Sequence, residues 1–89
     1  MKITVDLSMY PLDQDYKPPI KAFIRRLREN ADIELVTNQM STQIRGEHAR
    51  VMQVLNECMS ETMQDEGRVV FVARYINADL DISQLPDIS

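Results

Sequence analysis

The sequence has few of the residues that stabilise small domains through disulfides or bound metal. It contains one cysteine, Cys58, two glycines and no tryptophan in 89 residues. A single cysteine excludes an intramolecular disulfide, and no cysteine and histidine cluster is available for structural zinc. Because a domain of this length buries only roughly 60 to 65% of its unfolded surface, we expect oligomerisation to supply the missing support.

Long apolar segments and an excess of positive charge are also missing. No apolar run approaches the roughly 18 residues of a membrane span, and residues 1–6 lack a signal-peptide core, so we expect a soluble cytoplasmic protein without a membrane partner. The net charge of −4 argues against a nucleic-acid partner. Half of the ten basic residues fall within residues 17–28. Lys21, Arg25 and Arg28 share one helical side, where a solvated face is favoured over contact with an anion or acidic partner.

Hydrophobic periodicity predicts six elements. Residues 3–10 alternate apolar and polar, as in a strand with one core face, and an apolar i, i+3, i+4, i+7 stripe predicts a helix over 18–30. Further strands are predicted at 33–37, 42–45 (ending at Gly46) and 69–75, and a second helix from about 47 to Gly67. The predicted core side of the second helix consists of Val51, Met52, Leu55, Cys58, Met59, Thr62 and Met63. The order βαββαβ predicts an α+β ferredoxin-like sandwich, a four-stranded antiparallel sheet with two helices on one face.

The second face of this sheet has no layer to cover it. The last strand offers two apolar sets, and the pattern does not choose which one faces the helices. The sets are Val69, Phe71, Ala73 and Tyr75, or Val70, Val72, Arg74 and Ile76. Either choice leaves a half-apolar surface, which is typical of an interface. We therefore predict a homodimer or homotetramer through the sheets, built from a domain at 1–79 that a tail at 80–89 follows.

The residue types typical of catalysis and metal binding occur singly, without the partners that such sites need. His48 falls near the start of the second helix, where a solvated terminus is favoured, and Cys58 falls on an apolar stripe. Residues 79–83 resemble the start of a calcium loop but lack its glycine and final glutamate, so a solvated tail is favoured. Since no nucleotide loop, nucleophile elbow or metal triad is present, we expect no enzymatic activity, no cofactor and no metal.

Small polar residues concentrate in two places, at Ser8 and Tyr10 and again over residues 37–43. Uncharged hydroxyl and amide groups suit an amide, a pyrimidine or another polar heterocycle, on which Tyr10 or Phe71 could stack. Ordinary sheet and turn polarity explains the same residues, and composition alone favours that simpler interpretation.

Three segments, in this order, resemble the thiamine-binding protein family, which includes YkoF-like and MTH1187-like proteins. They are residues 6–12 (DLSMYPL), residues 37–47 (TNQMSTQIRGE) and Val51-Met52. The resemblance implies a ferredoxin-like fold, association through the sheets, and binding of thiamine or its hydroxymethylpyrimidine part. The pocket positions that it implies are Ser8, Thr37, Asn38, Met40, Ser41 and Thr42.

The resulting hypothesis is a non-enzymatic, homo-oligomeric protein that binds thiamine or its hydroxymethylpyrimidine moiety. Asn38, Ser41 and Thr42 would bind the pyrimidine edge, with an aromatic or methionine side chain as the apolar wall. Asp6 or Glu47 could face the thiazolium cation, and the sequence does not choose between them. The alternative is a regulatory or assembly module that associates through its open sheet face and binds no metabolite.

Overall fold

The computed structural model describes residues 1–12, 15–65 and 67–88. Its elements are β1 (Lys2–Pro11), α1 (Lys17–Arg28), β2 (Glu34–Thr37), β3 (Thr42–Glu47), α2 (His48–Asp65) and β4 (Val69–Ile76). The strands form one antiparallel sheet in the order β2-β3-β1-β4. The predicted ferredoxin-like fold is confirmed.

The core lies between the helices and one face of the sheet. Alternate residues of β1 enter it, as the period-two pattern predicted, and they meet the apolar stripes of both helices. The buried apolar residues are Ile3, Val5, Leu7, Phe23, Leu27, Ile33, Ile44, Val51, Val54, Leu55 and Cys58. Strand β1 pairs with both β3 and β4, so its register sets which residues of these two strands face the helices.

The prediction that Gly46 ends β3 is wrong. The strand continues through Gly46 to Glu47 and leads directly into α2. Gly46 pairs with Ile3 on the helix-facing side of the sheet. A Cβ atom at this position would lie 3.2 Å from Cγ2 of Val51 in the first turn of α2. The glycine therefore permits the close approach of the helix rather than a turn of the chain.

Strand β4 presents Phe71 and Ala73 to the helices, where they pair with Met9 and Leu7 of β1. This register turns Val70 and Val72 to the open face, with 43% and 52% of their surfaces exposed. Of the two apolar sets of β4 that the sequence left open, the one that contains Phe71 and Ala73 therefore faces the helices.

The second helix differs from its predicted core side at three positions. Met52 and Met63 are exposed, whereas Val54 is buried. The buried stripe runs through Val51, Val54, Leu55, Cys58 and Thr62. Met52 and Met63 lie at the border of this stripe, where a flexible side chain reaches solvent.

One end of the open face is covered by residues 78–82, which we call the C-terminal strap. The Thr4 hydroxyl donates to the carbonyl of Ala78 over 2.8 Å and accepts the backbone N–H of Leu80 over 3.1 Å. Arg45 forms ion pairs with Asp79 and with Asp81, at 2.5 and 3.7 Å. The expectation of an entirely uncovered face is therefore wrong at the Thr4 end, and the uncovered part lies toward Val70 and Val72.

Candidate functional site

A cavity of about 340 Å³ opens where β1 extends beyond the end of the neighbouring strand β3. Strand β3 begins at Thr42, opposite Leu7, while β1 continues to Pro11. The edge of β1 beyond Leu7 is therefore left to face the β2–β3 hairpin turn and the first half of α1. All six predicted pocket residues line this cavity: Ser8, Thr37, Asn38, Met40, Ser41 and Thr42. Their role in holding a ligand stays a prediction.

The apolar wall of the cavity comes largely from α1. It is formed by Tyr16, Ile20, Phe23 and Ile24, facing Met9 and Tyr10 of β1. Phe23 is 2% exposed, and its ring centroid lies 5.0 Å from that of Phe71. Of the two rings that could stack on a ligand, Tyr10 lines the cavity, whereas Phe71 packs against Phe23. Stacking on a ligand stays a prediction.

Asn38 organises the hairpin turn that forms the rim of the cavity. Its Oδ1 accepts the backbone N–H groups of Met40 and Ser41, at 2.9 and 3.1 Å. Its own backbone N–H donates to the carbonyl of Ser41 over 3.0 Å. An asparagine side chain that bonds the backbone two residues ahead stabilises a turn of its own, so this hairpin forms without an Asn-Gly pair. Met40 stands at the tip of the turn with 86% of its surface exposed.

Two threonine hydroxyls lie together on the helix-facing side of the cavity. Thr42 pairs with both Leu7 and Thr37 in the sheet, so all three side chains share one face. The Oγ1 atoms of Thr37 and Thr42 are 3.1 Å apart, which makes a hydrogen bond in which either can donate. The pair places hydroxyl groups beside the apolar wall.

Ser41 connects the cavity to a carboxylate on the open face. Its hydroxyl donates to Oδ1 of Asp6 over 2.6 Å and accepts Nε2 of Gln43 over 2.7 Å. Gln43 also donates to Asp6 over 3.3 Å, and Arg74 contacts the second carboxylate oxygen over 2.5 Å. The bond from Ser41, followed by that from Arg74, lowers the pKa of Asp6 below its usual value. Asp6 is thus held as an anion one side chain away from the cavity.

The cavity has a neutral lining: no described residue that lines it carries a charge. Asp6 reaches it only through Ser41. Glu47 pairs with Lys2, five residues before Leu7 on β1, which places it about 16 Å from the cavity edge. Of the two carboxylates that the sequence left open, Asp6 is therefore the one near the site.

Other residues considered in the sequence lie away from the cavity. His48 is exposed at the start of α2, and Lys21, Arg25 and Arg28 are exposed on α1. Cys58 is buried, and burial raises the pKa of its thiol, which disfavours the reactive thiolate. Within residues 1–12, 15–65 and 67–88, no group of three potential metal-ligating side chains is assembled, and no described helix is long and apolar enough to cross a membrane.

Comparison with known proteins identifies the family. The family model described as thiamine-binding protein matches residues 5–82. The chain belongs to the thiamine-binding protein family. Membership supports a role in binding a small molecule. The search of curated proteins found no match.

Solved structures share the fold of this thiamine-binding family member. A protein from Streptococcus pneumoniae is 22% identical with a TM-score of 0.81, over 90% of each chain. A hypothetical protein from Methanocaldococcus jannascii is 21% identical with a TM-score of 0.76, over 94% of this chain and 88% of its own. A proposed thiamine biosynthesis/salvage protein from Thermotoga maritima is 18% identical with a TM-score of 0.75, over 97% and 90%.

Proposed function

We propose that this protein binds thiamine or its hydroxymethylpyrimidine moiety in the cavity between β1, α1 and the β2–β3 hairpin, without catalysing a reaction. The observation that carries the proposal is the convergence of all six predicted pocket residues on one cavity. Family membership supports the same ligand class.

The lining suits a flat, uncharged heterocycle. Phe23, Ile20 and Ile24 supply an apolar wall, and Tyr10 supplies a ring at the mouth. The Thr37 and Thr42 hydroxyls, with Ser8 and Ser41, supply the few polar groups that orient a ligand. A neutral pyrimidine fits this lining without the cost of burying a charge.

Isothermal titration calorimetry with thiamine and with hydroxymethylpyrimidine tests the proposal. Saturation at 100 times the Kd adds about 2.7 kcal/mol to the free energy of unfolding, so the Tm rises with ligand. Thr42→Val, which removes a lining hydroxyl at constant shape, is expected to weaken binding. Ser60→Ala, which removes an exposed hydroxyl on α2, serves as the control. No heat at millimolar ligand together with an unchanged Tm would contradict the proposal.

The same proposal includes a homo-oligomer that forms through the open face of the sheet. Val70 and Val72 expose an apolar surface there, beyond the C-terminal strap. Burying this surface against a second copy would supply part of the support that an 89-residue chain lacks.

That exposed surface also favours a second candidate, an assembly module that binds no metabolite. The two candidates predict different responses to mutation. For an assembly module, Thr42→Val leaves function intact and Val72→Lys abolishes it. For a binding protein, Thr42→Val weakens the ligand even when the oligomer is unchanged.

A further inference from the structure

Two backbone bonds fix the direction in which the peptide groups of β1 point. The N–H of His48, which follows β3, donates to the carbonyl of Met1 over 2.9 Å. On the other side, the N–H of Leu12 donates to the carbonyl of Arg68, which precedes β4, over 2.9 Å. Hydrogen-bonded positions alternate with non-bonded ones along an antiparallel pair. The odd-numbered residues of β1 therefore direct their N–H and C=O groups toward β3, and the even-numbered residues direct theirs toward β4.

Met9 is the residue at which this edge of β1 loses its partner. The ladder with β3 ends where Leu7 pairs with Thr42, so the register would bring Met40 opposite Met9. Met40 instead turns away at the hairpin tip, where its N–H donates to Oδ1 of Asn38 over 2.9 Å. Among the described residues, no backbone bond joins Met9 to the hairpin. The N–H and C=O groups of Met9, which lines the cavity, therefore point toward the cavity without a partner from β3.

Pro11 marks the same open edge two residues further along β1. It lines the cavity as well, and it pairs with Val69 of β4 on the other side. A proline has no N–H to donate to a ladder, so within sheets it is confined to edges, strand starts and bulges. As an odd-numbered residue, Pro11 places its missing donor on the cavity side, where β3 offers no acceptor.

We propose that the N–H and C=O groups of Met9 bind the polar edge of the ligand, so that the protein selects flat heterocycles in which a ring nitrogen adjoins an amino group. The inference rests on the proposed function and names the part of the ligand that the site recognises. In a hydrogen-bonded antiparallel pair, two residues exchange both of their N–H···O bonds. An aminopyrimidine offers an acceptor and a donor side by side, so it takes the place that a residue of β3 would occupy opposite Met9.

The surroundings of Met9 suit a ring that lies in line with the sheet. Side chains leave a strand above and below the sheet, whereas the hydrogen-bonding groups point sideways toward the next strand. A ring bonded to Met9 therefore extends the sheet, and its helix-facing side meets the part of the cavity wall formed by Ile20 and Ile24. Such apolar lining lowers the local dielectric and strengthens the two backbone bonds.

Amide hydrogen exchange, followed by NMR on the full chain, tests the edge directly. In the free protein, the N–H of Met9 should exchange about tenfold or more faster than those of Ser8 and Tyr10, which point toward β4. Saturation with hydroxymethylpyrimidine should slow exchange at Met9 about tenfold or more. General stabilisation of the fold does not slow an amide that exchanges without unfolding, so Ser8 and Tyr10 serve as internal controls.

Two results of this experiment would overturn the inference. One is slow exchange at Met9 in the free protein, which would mean that its N–H already has a partner. The other is binding by calorimetry without slower exchange at Met9, which would leave the proposed function standing. If calorimetry detects no binding, the proposed function and the inference both fail.

A pair of variants at Met9 separates its N–H from its side chain. Met9→Pro removes the N–H without removing a ladder bond, whereas Met9→Leu keeps the N–H with a side chain of similar volume. Met9→Pro should bind hydroxymethylpyrimidine about tenfold or more weakly, and Met9→Leu should stay within about threefold of the wild type. Equal affinities of the two variants would refute the role of the N–H. If Met9→Pro does not fold, exchange at Met9 in the wild-type chain decides the question.

The carbonyl of Met9 is tested by changing the ligand, because a substitution cannot remove it. An analogue of hydroxymethylpyrimidine with hydrogen in place of the amino group loses the donor and keeps the ring nitrogen. The wild-type protein should bind this analogue about tenfold or more weakly, since the carbonyl is left without a partner. At saturation the analogue should still slow exchange at Met9. Equal affinities for the two compounds would refute the bond to the carbonyl.

Discussion

The contact between Phe23 and Phe71 joins the cavity wall to the sheet, and its energy can be tested by mutation. Phe23 is 2% exposed, and the two rings are 5.0 Å apart with a tilt of 49°. Tilted pairs of this kind contribute about 0.5–1.5 kcal/mol beyond their buried area. Replacing Phe23 with leucine also removes packed volume, so we expect the free energy of unfolding to fall by about 1–2 kcal/mol in total.

Thermal unfolding at one protein concentration measures this change. For a domain of this size, 1 kcal/mol corresponds to about 4–8 °C, so the Tm of Phe23→Leu should fall by about 4–16 °C. The double-mutant cycle with Phe71→Leu isolates the ring contact, and we expect a coupling energy of about 0.5–1.5 kcal/mol. Additive effects, with a coupling below about 0.3 kcal/mol, would refute the claim that the rings interact.

Three further predictions concern the strand–helix junction, the strap and the open face. Gly46→Val should destabilise the protein by about 1–3 kcal/mol in urea unfolding because of overlap with Val51, whereas Gly67→Ala, where an added Cβ atom meets nothing, should change little. Arg45 lowers the pKa of Asp79, so this carboxylate stabilises the fold above its unfolded pKa and loses its contribution as pH falls through the lower folded value. The Tm of Asp79→Asn should therefore fall less than that of the wild type when the pH is lowered from about 6 to about 3, the range in which carboxyl groups titrate. An equal fall in the two Tm values would contradict this. Val72→Lys should shift the sedimentation profile toward monomer, and an unchanged profile would exclude Val72 from the interface.

The fold could be predicted because its signals are local. Alternation in β1 separates core from open face residue by residue, and the stripe on α1 identifies its buried side. Strand β4 could not be oriented in the same way, since both of its faces are apolar. Its orientation follows from pairing with β1, which places Phe71 next to Met9 and under Phe23.

Part of the candidate site depends on contacts between distant residues, and the sequence did not reveal it. The α1 wall was missed because Ile20 and Ile24 belong to the same apolar stripe as the core residue Leu27. The strap was missed because it is held by Thr4 and Arg45, more than thirty residues away along the chain. The resemblance to a known family, rather than periodicity, brought the six pocket positions together.

Binding in the cavity is the central claim, and amide chemical-shift mapping tests its location directly. On titration of the isotopically labelled protein with hydroxymethylpyrimidine, we expect the largest shifts at residues 8–10, 20–24 and 37–42, which surround the cavity. Val70, Val72 and Ile76, whose side chains lie on the open face, should shift little. Saturable shifts centred on the open face, or no shifts at millimolar ligand, would contradict the account.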